Sequence, residues 1–125
     1  MDTRLKILSS DSVRAALATG EWLAVAGLFD PVTVHQARHL ANLRSAGRKL
    51  LAVVLDGADT LLPAQARAAL LAGLREVDAV VIAQPERWRS LIPENSQVEI
   101  LEDAGAERAR SADFVQLVMR RQNAG

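Results

Sequence analysis

Residues 50–83 read LLAVVLDGADTLLPAQARAALLAGLREVDAVVIA, and this stretch decides the fold. The apolar run at residues 50–55 is too short for a typical helix and contains β-branched residues, so it predicts a buried strand. Residues 64–75 are rich in strong helix formers and follow Pro63, which suits the first turn of a helix. A second apolar run at residues 77–83 predicts another strand. A strand, a helix and a strand in succession indicate a parallel pair joined by a helical crossover.

The same alternation of apolar runs and helical patterns extends in both directions from this unit. Upstream, it predicts a helix from a cap at Ser9, Ser10 or Asp11 through Thr19, a strand at 22–26 and a helix at 34–46. Downstream, it predicts a short helix from Pro85 to Ile92, a strand at 97–101 and a terminal helix from Ser111 to Arg121. Uniformly apolar parallel strands need helices on both faces of their sheet. We therefore predict one domain over residues 1–125, with a three-layer α/β/α doubly wound parallel sheet.

The composition narrows the class of function. Fifteen basic residues balance fifteen acidic ones, so the chain lacks the basic excess that is typical of nucleic-acid binders, and we expect no nucleic-acid partner. With no cysteine there is no disulfide, no thiolate metal site and no cysteine nucleophile. No stretch approaches the ~20 apolar residues that cross a bilayer, and the first residues lack a signal-peptide profile. We therefore expect a soluble, cytoplasmic protein without a membrane partner.

The loop at residues 27–33, GLFDPVT, is the first place to expect function. Its glycine, aspartate and proline indicate a loop after the strand at 22–26. Ligands of open α/β sheets bind beyond the carboxyl ends of the strands, where the strand order reverses. A ligand site is therefore expected around this loop.

The sequence WLAVAGLFDPVTVHQARHL at residues 22–40 resembles the nucleotidyltransferase superfamily with the Rossmann-like, cytidylyltransferase-like fold. It is most similar to the adenylyltransferase domain of bacterial ADP-heptose synthases and to glycerol-3-phosphate cytidylyltransferases. In these families a strand leads into the motif G-x-F-D-x-x-H-x-G-H, and Gly27, Phe29 and Asp30 occupy the matching positions. The resemblance implies that these three residues bind a nucleotide.

Two further segments extend the resemblance over most of the chain. Residues 61–82 resemble the family pattern L-P-x-x-x-R-x-x-x-L-x-x-L-x-x-V-D-x-V-V, in which Arg67 matches the arginine near the substrate. Residues 109–118, ARSADFVQLV, stand where the family carries G-R-S-T-T before its last helix. The resemblance implies that Arg67 and Ser111 contact the nucleotide and that Arg110 takes part in catalysis.

The motif that carries the chemistry departs from the family. The family's two histidines contact the nucleotide phosphates, but the four positions of H-x-G-H read Thr33, Val34, His35 and Gln36 here. Thr33 and Gln36 can donate hydrogen bonds, yet neither carries a positive charge. Losing a group that stabilises phosphate charge commonly costs several kcal/mol of activation free energy.

The second signature is also altered. Arg110 and Ser111 match, but Ala112 and Asp113 replace the next two hydroxyl residues, and an aspartate beside a triphosphate is repulsive unless a metal lies between them. The segment between Ile82 and Gln97 has no counterpart of the family's K-G-G-D. These departures favour a catalytically impaired, nucleotidyltransferase-like protein, a pseudoenzyme that binds a nucleotide or a protein partner.

The alternative is an active enzyme that moves AMP or CMP from ATP or CTP to a sugar or polyol phosphate. Its catalytic residues would be Thr33, Gln36 and Arg110, assisted by Arg67, and its cofactor would be Mg²⁺ bound with the nucleotide. Many members of the family are dimers, so the resemblance also allows a homodimer. For the impaired protein the resemblance implies no particular cofactor.

Each candidate residue also has a purely structural interpretation. Gly27 can serve a tight turn, Asp30 can organise the loop before a helix, and Arg67 can be a charged residue on the exposed face of an alanine-rich helix. His35 and His39 have the i, i+4 spacing that recurs in zinc sites, but no third ligand is evident in the sequence, so we expect no metal site.

Overall fold

The computed structural model describes residues 2–30, 32–44, 47–57, 60–94, 96–103 and 116–121. The helices are α1 (Ser10–Leu17), α2 (Val34–Leu43) and α3 (Ala64–Ala72), and 3₁₀ turns cover Thr3–Lys6 and Trp88–Leu91. The strands are β1 (Glu21–Gly27), β2 (Arg48–Leu55), β3 (Ala79–Ala83), β4 (Gln97–Asp103) and β5 (Gln116–Arg121). The four strands predicted from apolar runs are confirmed, with ends shifted by at most two residues.

The five strands form one sheet in the order β3-β2-β1-β4-β5. Strands β3, β2, β1 and β4 run parallel to one another, which confirms the predicted α/β fold with a parallel sheet. The chain moves outward from β1 to β3 and then returns to the other side of β1 as β4, so the strand order reverses between β1 and β4. Their carboxyl ends, at Gly27 and Asp103, flank the reversal point where ligands of such sheets bind.

The predicted terminal helix is wrong over residues 116–121, which form β5 antiparallel to β4. The prediction rested on a serine cap and on helix formers, both of which are local signals. Strand β4 would otherwise leave one row of backbone N–H and C=O groups unpaired, and pairing with β5 satisfies them. The start of the predicted helix at Ser111 lies outside the described residues.

Successive side chains of each strand point to opposite faces of the sheet and enter two separate core clusters. On one face, Trp22, Ala24 and Ala26 of β1 pack with residues of α1 and of the 3₁₀ turn Trp88–Leu91. On the other face, Leu23 and Val25 pack with residues of α2 and α3. Helical segments therefore cover both faces, which explains why the central strands are apolar throughout. None of the helices in the described ranges is long and apolar enough to cross a membrane.

Charged groups join the elements at the amino edge of the sheet. The Asp78 carboxylate accepts from the backbone N–H of Leu50 at 2.8 Å and from two nitrogens of Arg44 at 3.0 and 3.1 Å. These hydrogen bonds, and then the charge of Asp78, hold the pKa of Arg44 above its ordinary value. Arg48 of β2 reaches across β1 to Glu99 of β4, with 2.6 Å between Nη1 and Oε1. These contacts therefore tie α2, β2 and β4 to one another near the amino edge of the sheet.

Candidate functional site

The loops that follow β1 and β2 meet at the carboxyl edge of the sheet. Gly27 is the buried last residue of β1, in register with Val54 of β2. The β1–α2 loop then leads to α2 at Val34, and the β2–α3 loop leads to α3 at Ala64. Six of the eight predicted site residues lie on or between these elements: Gly27, Phe29, Asp30, Thr33, Gln36 and Arg67. The other two, Arg110 and Ser111, lie outside the described residues.

Arg67 is fully buried, so the interpretation that placed it on an exposed helix face is wrong. Its Nη1 donates to the carbonyl oxygens of Leu28 at 2.7 Å and Leu55 at 2.9 Å, and its Nε donates to that of Leu62 at 3.0 Å. Leu28 follows β1, Leu55 ends β2 and Leu62 precedes α3. One guanidinium therefore joins three segments of the carboxyl edge, because its planar array of donors can serve several acceptors at once.

The other terminal nitrogen of Arg67, Nη2, is buried without a hydrogen-bond partner among the described residues. Within those residues, no carboxylate lies within ion-pair distance of the guanidinium either. A buried positive charge without a counter-ion is unfavourable, and it favours an anion close by. Arg67 is therefore a buried positive charge behind the carboxyl ends of β1 and β2, where the two loops also carry the carboxylates of Asp30 and Asp56.

Asp30 also joins the β1–α2 loop, in which it lies, to the β2–α3 loop. Its Oδ1 accepts from the backbone N–H of Leu62 at 2.8 Å, and its Oδ2 accepts from the backbone N–H of Leu61. Both carboxylate oxygens are thus engaged by the start of the α3 segment. This geometry agrees with the structural interpretation of Asp30, which fixes one loop against the other.

Phe29 has a backbone φ of 50°, in the left-handed region that favours glycine. Its side chain is 2% exposed and belongs to the core cluster that includes Leu40 of α2 and Leu101 of β4. The unfavourable backbone conformation thus accompanies the insertion of the ring beneath α2. The ring is a core group rather than a surface on which a nucleotide base could stack.

Thr33 and Gln36 form a reciprocal capping box at the start of α2. Thr33 Oγ1 accepts from the backbone N–H of Gln36 at 3.1 Å, and Gln36 Oε1 accepts from the backbone N–H of Thr33 at 3.1 Å. The Gln36 side chain is 5% exposed, whereas Thr33 lies at the surface. The sequence carried a signal for this role, since threonine followed three positions later by glutamine is a capping-box pattern.

The predicted absence of a zinc site concerned His35 and His39, which lie on α2. Over the ranges that the structure describes, no three or more histidine, cysteine, aspartate or glutamate side chains are grouped so as to hold a metal ion. At this edge the described residues provide one buried cation, Arg67, and the partial positive charge at the start of α2.

Neither a scan against protein-family models nor a search of curated proteins finds a match to this chain.

Proposed function

We propose that this chain is a catalytically impaired, nucleotidyltransferase-like domain with a three-layer, doubly wound, Rossmann-like sheet that binds a nucleotide at the carboxyl edge of β1. The observation that carries the proposal is the capping box of Thr33 and Gln36. These residues stand where the resembling families carry the two histidines that contact the nucleotide phosphates. In this chain the same two positions organise the start of a helix.

Impaired catalysis follows from the charge and the position of these two side chains. Nucleotidyl transfer builds negative charge at the phosphate under attack, and catalysis depends on groups placed to stabilise that charge. Thr33 and Gln36 are uncharged, and the buried carboxamide of Gln36 is held against the α2 backbone. The hydroxyl of Thr33 remains able to donate one neutral hydrogen bond. That bond supports binding of a phosphate but is a weak substitute for two histidines.

Nucleotide binding is supported by what remains at the edge. The N-terminus of a helix attracts phosphate through its N–H groups and its dipole, and α2 begins beside the strand-order reversal. Arg67 adds a buried positive charge near the ends of β1 and β2. A bound phosphate would lower the electrostatic free energy of that charge.

The resemblance implies Mg²⁺ together with ATP or CTP. Mg²⁺ is usually held by one or two carboxylates together with the substrate's phosphates. The carboxylate of the β1–α2 loop, Asp30, already accepts two backbone N–H bonds. A Mg²⁺ ion would therefore arrive with the triphosphate, and its role would be to neutralise phosphate charge.

Isothermal titration with ATP and with CTP in the presence of Mg²⁺ tests binding, and pyrophosphate release across sugar and polyol phosphates tests catalysis. We expect saturable nucleotide binding and no pyrophosphate release above background. Substrate-dependent release that disappears in Arg110→Ala would establish the active enzyme instead. Absence of binding at high nucleotide concentration would refute the nucleotide site and leave a protein-interaction role.

A charge-reversal variant locates the site. Thr33→Asp keeps a good cap for α2 but places a carboxylate where phosphate is expected, so nucleotide affinity should fall about tenfold or more. Thr33→Asn is the matched control, because asparagine also caps a helix well but carries no charge. Equal losses in both variants would place the nucleotide elsewhere.

Restoring the family motif tests whether the start of α2 has the geometry of a nucleotidyltransferase site. The triple variant Thr33→His, His35→Gly, Gln36→His recreates H-x-G-H at the start of α2. If the scaffold retains a nucleotidyltransferase geometry, this variant should bind nucleotide more tightly than the wild-type chain. A variant that folds but binds nucleotide no better would argue against the resemblance.

A further inference from the structure

A cavity open to solvent lies at the carboxyl end of β3, between the start of α1 and the 3₁₀ turn Trp88–Leu91. Its volume is about 360 Å³. The polar side chains around it include those of Ser10, Arg14, Arg87 and Ser90, and its apolar lining includes Ile82 and Leu91. A cavity of this size falls in the range of small-molecule sites, about 300–1,000 Å³. No candidate residue from the sequence lies in it.

The polar part of the cavity is cationic. Arg14 and Arg87 contribute two positive charges, and none of the lining residues is acidic. In the described part of the chain, neither arginine has a carboxylate within ion-pair distance. These two guanidinium groups therefore provide donors for an oxyanion, in the planar arrangement that matches phosphate.

Backbone contacts hold the cationic side in place. Arg14 Nη2 donates to the carbonyl oxygen of Ser90 at 3.0 Å, which ties α1 to the 3₁₀ turn. Ser90 Oγ donates to the carbonyl oxygen of Arg87 at 2.7 Å, which closes that turn and leaves the hydroxyl oxygen able to accept. The Arg14 contact uses one of the five N–H donors of the guanidinium. Within the described residues, its other donors have no hydrogen-bond partner.

The sheet sets the position of α1 relative to this cavity. The backbone N–H of Leu8 donates to the carbonyl oxygen of Val80 at 2.7 Å, and Ile7 forms a parallel bridge with Val80. The chain therefore runs alongside β3 and enters α1 near the carboxyl edge of the sheet. As a result, the positive end of the α1 dipole, at Ser10, lies on the same side of the cavity as Arg14.

We propose that this cavity binds a small phosphorylated organic molecule. Two guanidinium groups, the Ser10 hydroxyl and a helix start fit the phosphate, and the apolar lining at Ile82 and Leu91 fits an organic portion. Strand β3 is two strands away from β1, about 10 Å across the sheet, and α1 packs on the face opposite α2. The cavity is therefore separate from the start of α2, and its occupation does not depend on the proposed nucleotide site.

Amide chemical shifts measured by NMR at constant ionic strength test the proposal. The probes are ribose 5-phosphate, inorganic phosphate and ribose, which separate the phosphate from the organic portion. We expect saturable shifts at residues 10–14 and 82–91 with ribose 5-phosphate, weaker binding of inorganic phosphate, and no shifts at these residues with ribose. Shifts that rise linearly without saturation for all three compounds would overturn the proposal.

Charge-removing variants link the binding to the two arginines. Arg87→Gln should weaken ribose 5-phosphate binding about tenfold, since each charge-assisted hydrogen bond lost has an effect of this order, and Arg14→Gln should act similarly. Arg38→Gln is the matched control, because Arg38 is an exposed arginine on α2. Unchanged binding in the double variant Arg14→Gln, Arg87→Gln would overturn the proposal.

The Thr33→Asp variant separates this site from the nucleotide site. It should leave ribose 5-phosphate binding unchanged even if it abolishes nucleotide binding. Loss of both ligands in Thr33→Asp, with Arg87→Gln unaffected, would mean that a single site at α2 binds both of them, and would refute ligand binding in the cavity beside β3.

Discussion

The Nη1 atom of Arg67 lies 2.7 Å from the carbonyl oxygen of Leu28, immediately after β1 has ended. The same atom donates to the carbonyl oxygen of Leu55 at the end of β2. One charged side chain of α3 therefore joins the carboxyl ends of two central strands. The loops that would hold a ligand are thereby fixed to the core before any ligand binds. Such preorganisation lowers the conformational entropy that a ligand must remove.

Arg67→Met should therefore destabilise the protein strongly. Methionine fills a similar volume but leaves the carbonyl groups of Leu28, Leu55 and Leu62 without their donor. Each buried acceptor left unsatisfied costs about 1–3 kcal/mol, so we expect a loss of about 3 kcal/mol or more in the free energy of unfolding. Urea denaturation followed by circular dichroism measures this loss.

Arg75→Met is the matched control for this measurement. Arg75 is exposed and follows α3, so the same substitution there should change the free energy of unfolding by less than about 0.5 kcal/mol. Equal effects at the two positions would contradict the role assigned to the Arg67 hydrogen bonds.

At the opposite edge of the sheet, Asp78→Ala should be more destabilising than Arg44→Ala. Removing the carboxylate leaves the backbone N–H of the fully buried Leu50 without its side-chain acceptor, at a cost of about 1–3 kcal/mol. The Arg44 side chain is 41% exposed, and an ion pair of this kind contributes at most about 1 kcal/mol. Thermal or urea denaturation of the two variants gives the order, and the reverse order would show that the ion pair dominates.

Strands β1 to β4 and helices α1 to α3 could be predicted because their signals are local. The apolar runs of β1, β2 and β3 and the break at Pro63 act within a few residues. The partners of Arg67 could not be predicted, because its three acceptors are brought together only by the parallel pairing of β1 and β2. Its spacing on an alanine-rich helix was compatible with an exposed position.

The other failure of the sequence-based prediction has the same physical origin. Residues 116–121 form a strand because β4 offers an unpaired edge, and no property of the segment itself shows that this edge exists. The cationic cavity likewise contains Arg14 and Arg87, which are distant in sequence. The pairing of Ile7 with Val80 places α1 beside the end of β3 and so brings the two arginines to the same cavity. Long-range pairing therefore determines both features.

Phe29 permits a test of backbone strain. In an ordinary position an alanine variant is more stable than a glycine variant by about 0.5–1 kcal/mol. At φ 50° an L side chain is itself unfavourable by about 1–2 kcal/mol, so we expect Phe29→Gly to be at least as stable as Phe29→Ala. Both should lose about 3–5 kcal/mol relative to the wild-type chain through the cavity left by the ring. Denaturation in the presence of a stabilising osmolyte keeps the free energy of unfolding of both variants measurable. A Phe29→Ala variant more stable than Phe29→Gly would contradict the strain at this position.

Variants of Thr33 separate the capping role of this residue from its role toward a ligand. Thr33→Ala removes the acceptor for the N–H of Gln36 and should lower the free energy of unfolding by about 1 kcal/mol, whereas Thr33→Ser and Thr33→Asp retain a cap and should stay within about 0.5 kcal/mol of the wild-type chain. Nucleotide affinity should follow a different order, with Thr33→Ser unchanged and Thr33→Asp weakest, because only aspartate introduces a negative charge beside the phosphate. Urea denaturation and nucleotide titration on the same four proteins give both orders. If affinity instead follows stability across the series, Thr33 acts only through the integrity of α2, and the start of this helix is not the phosphate site.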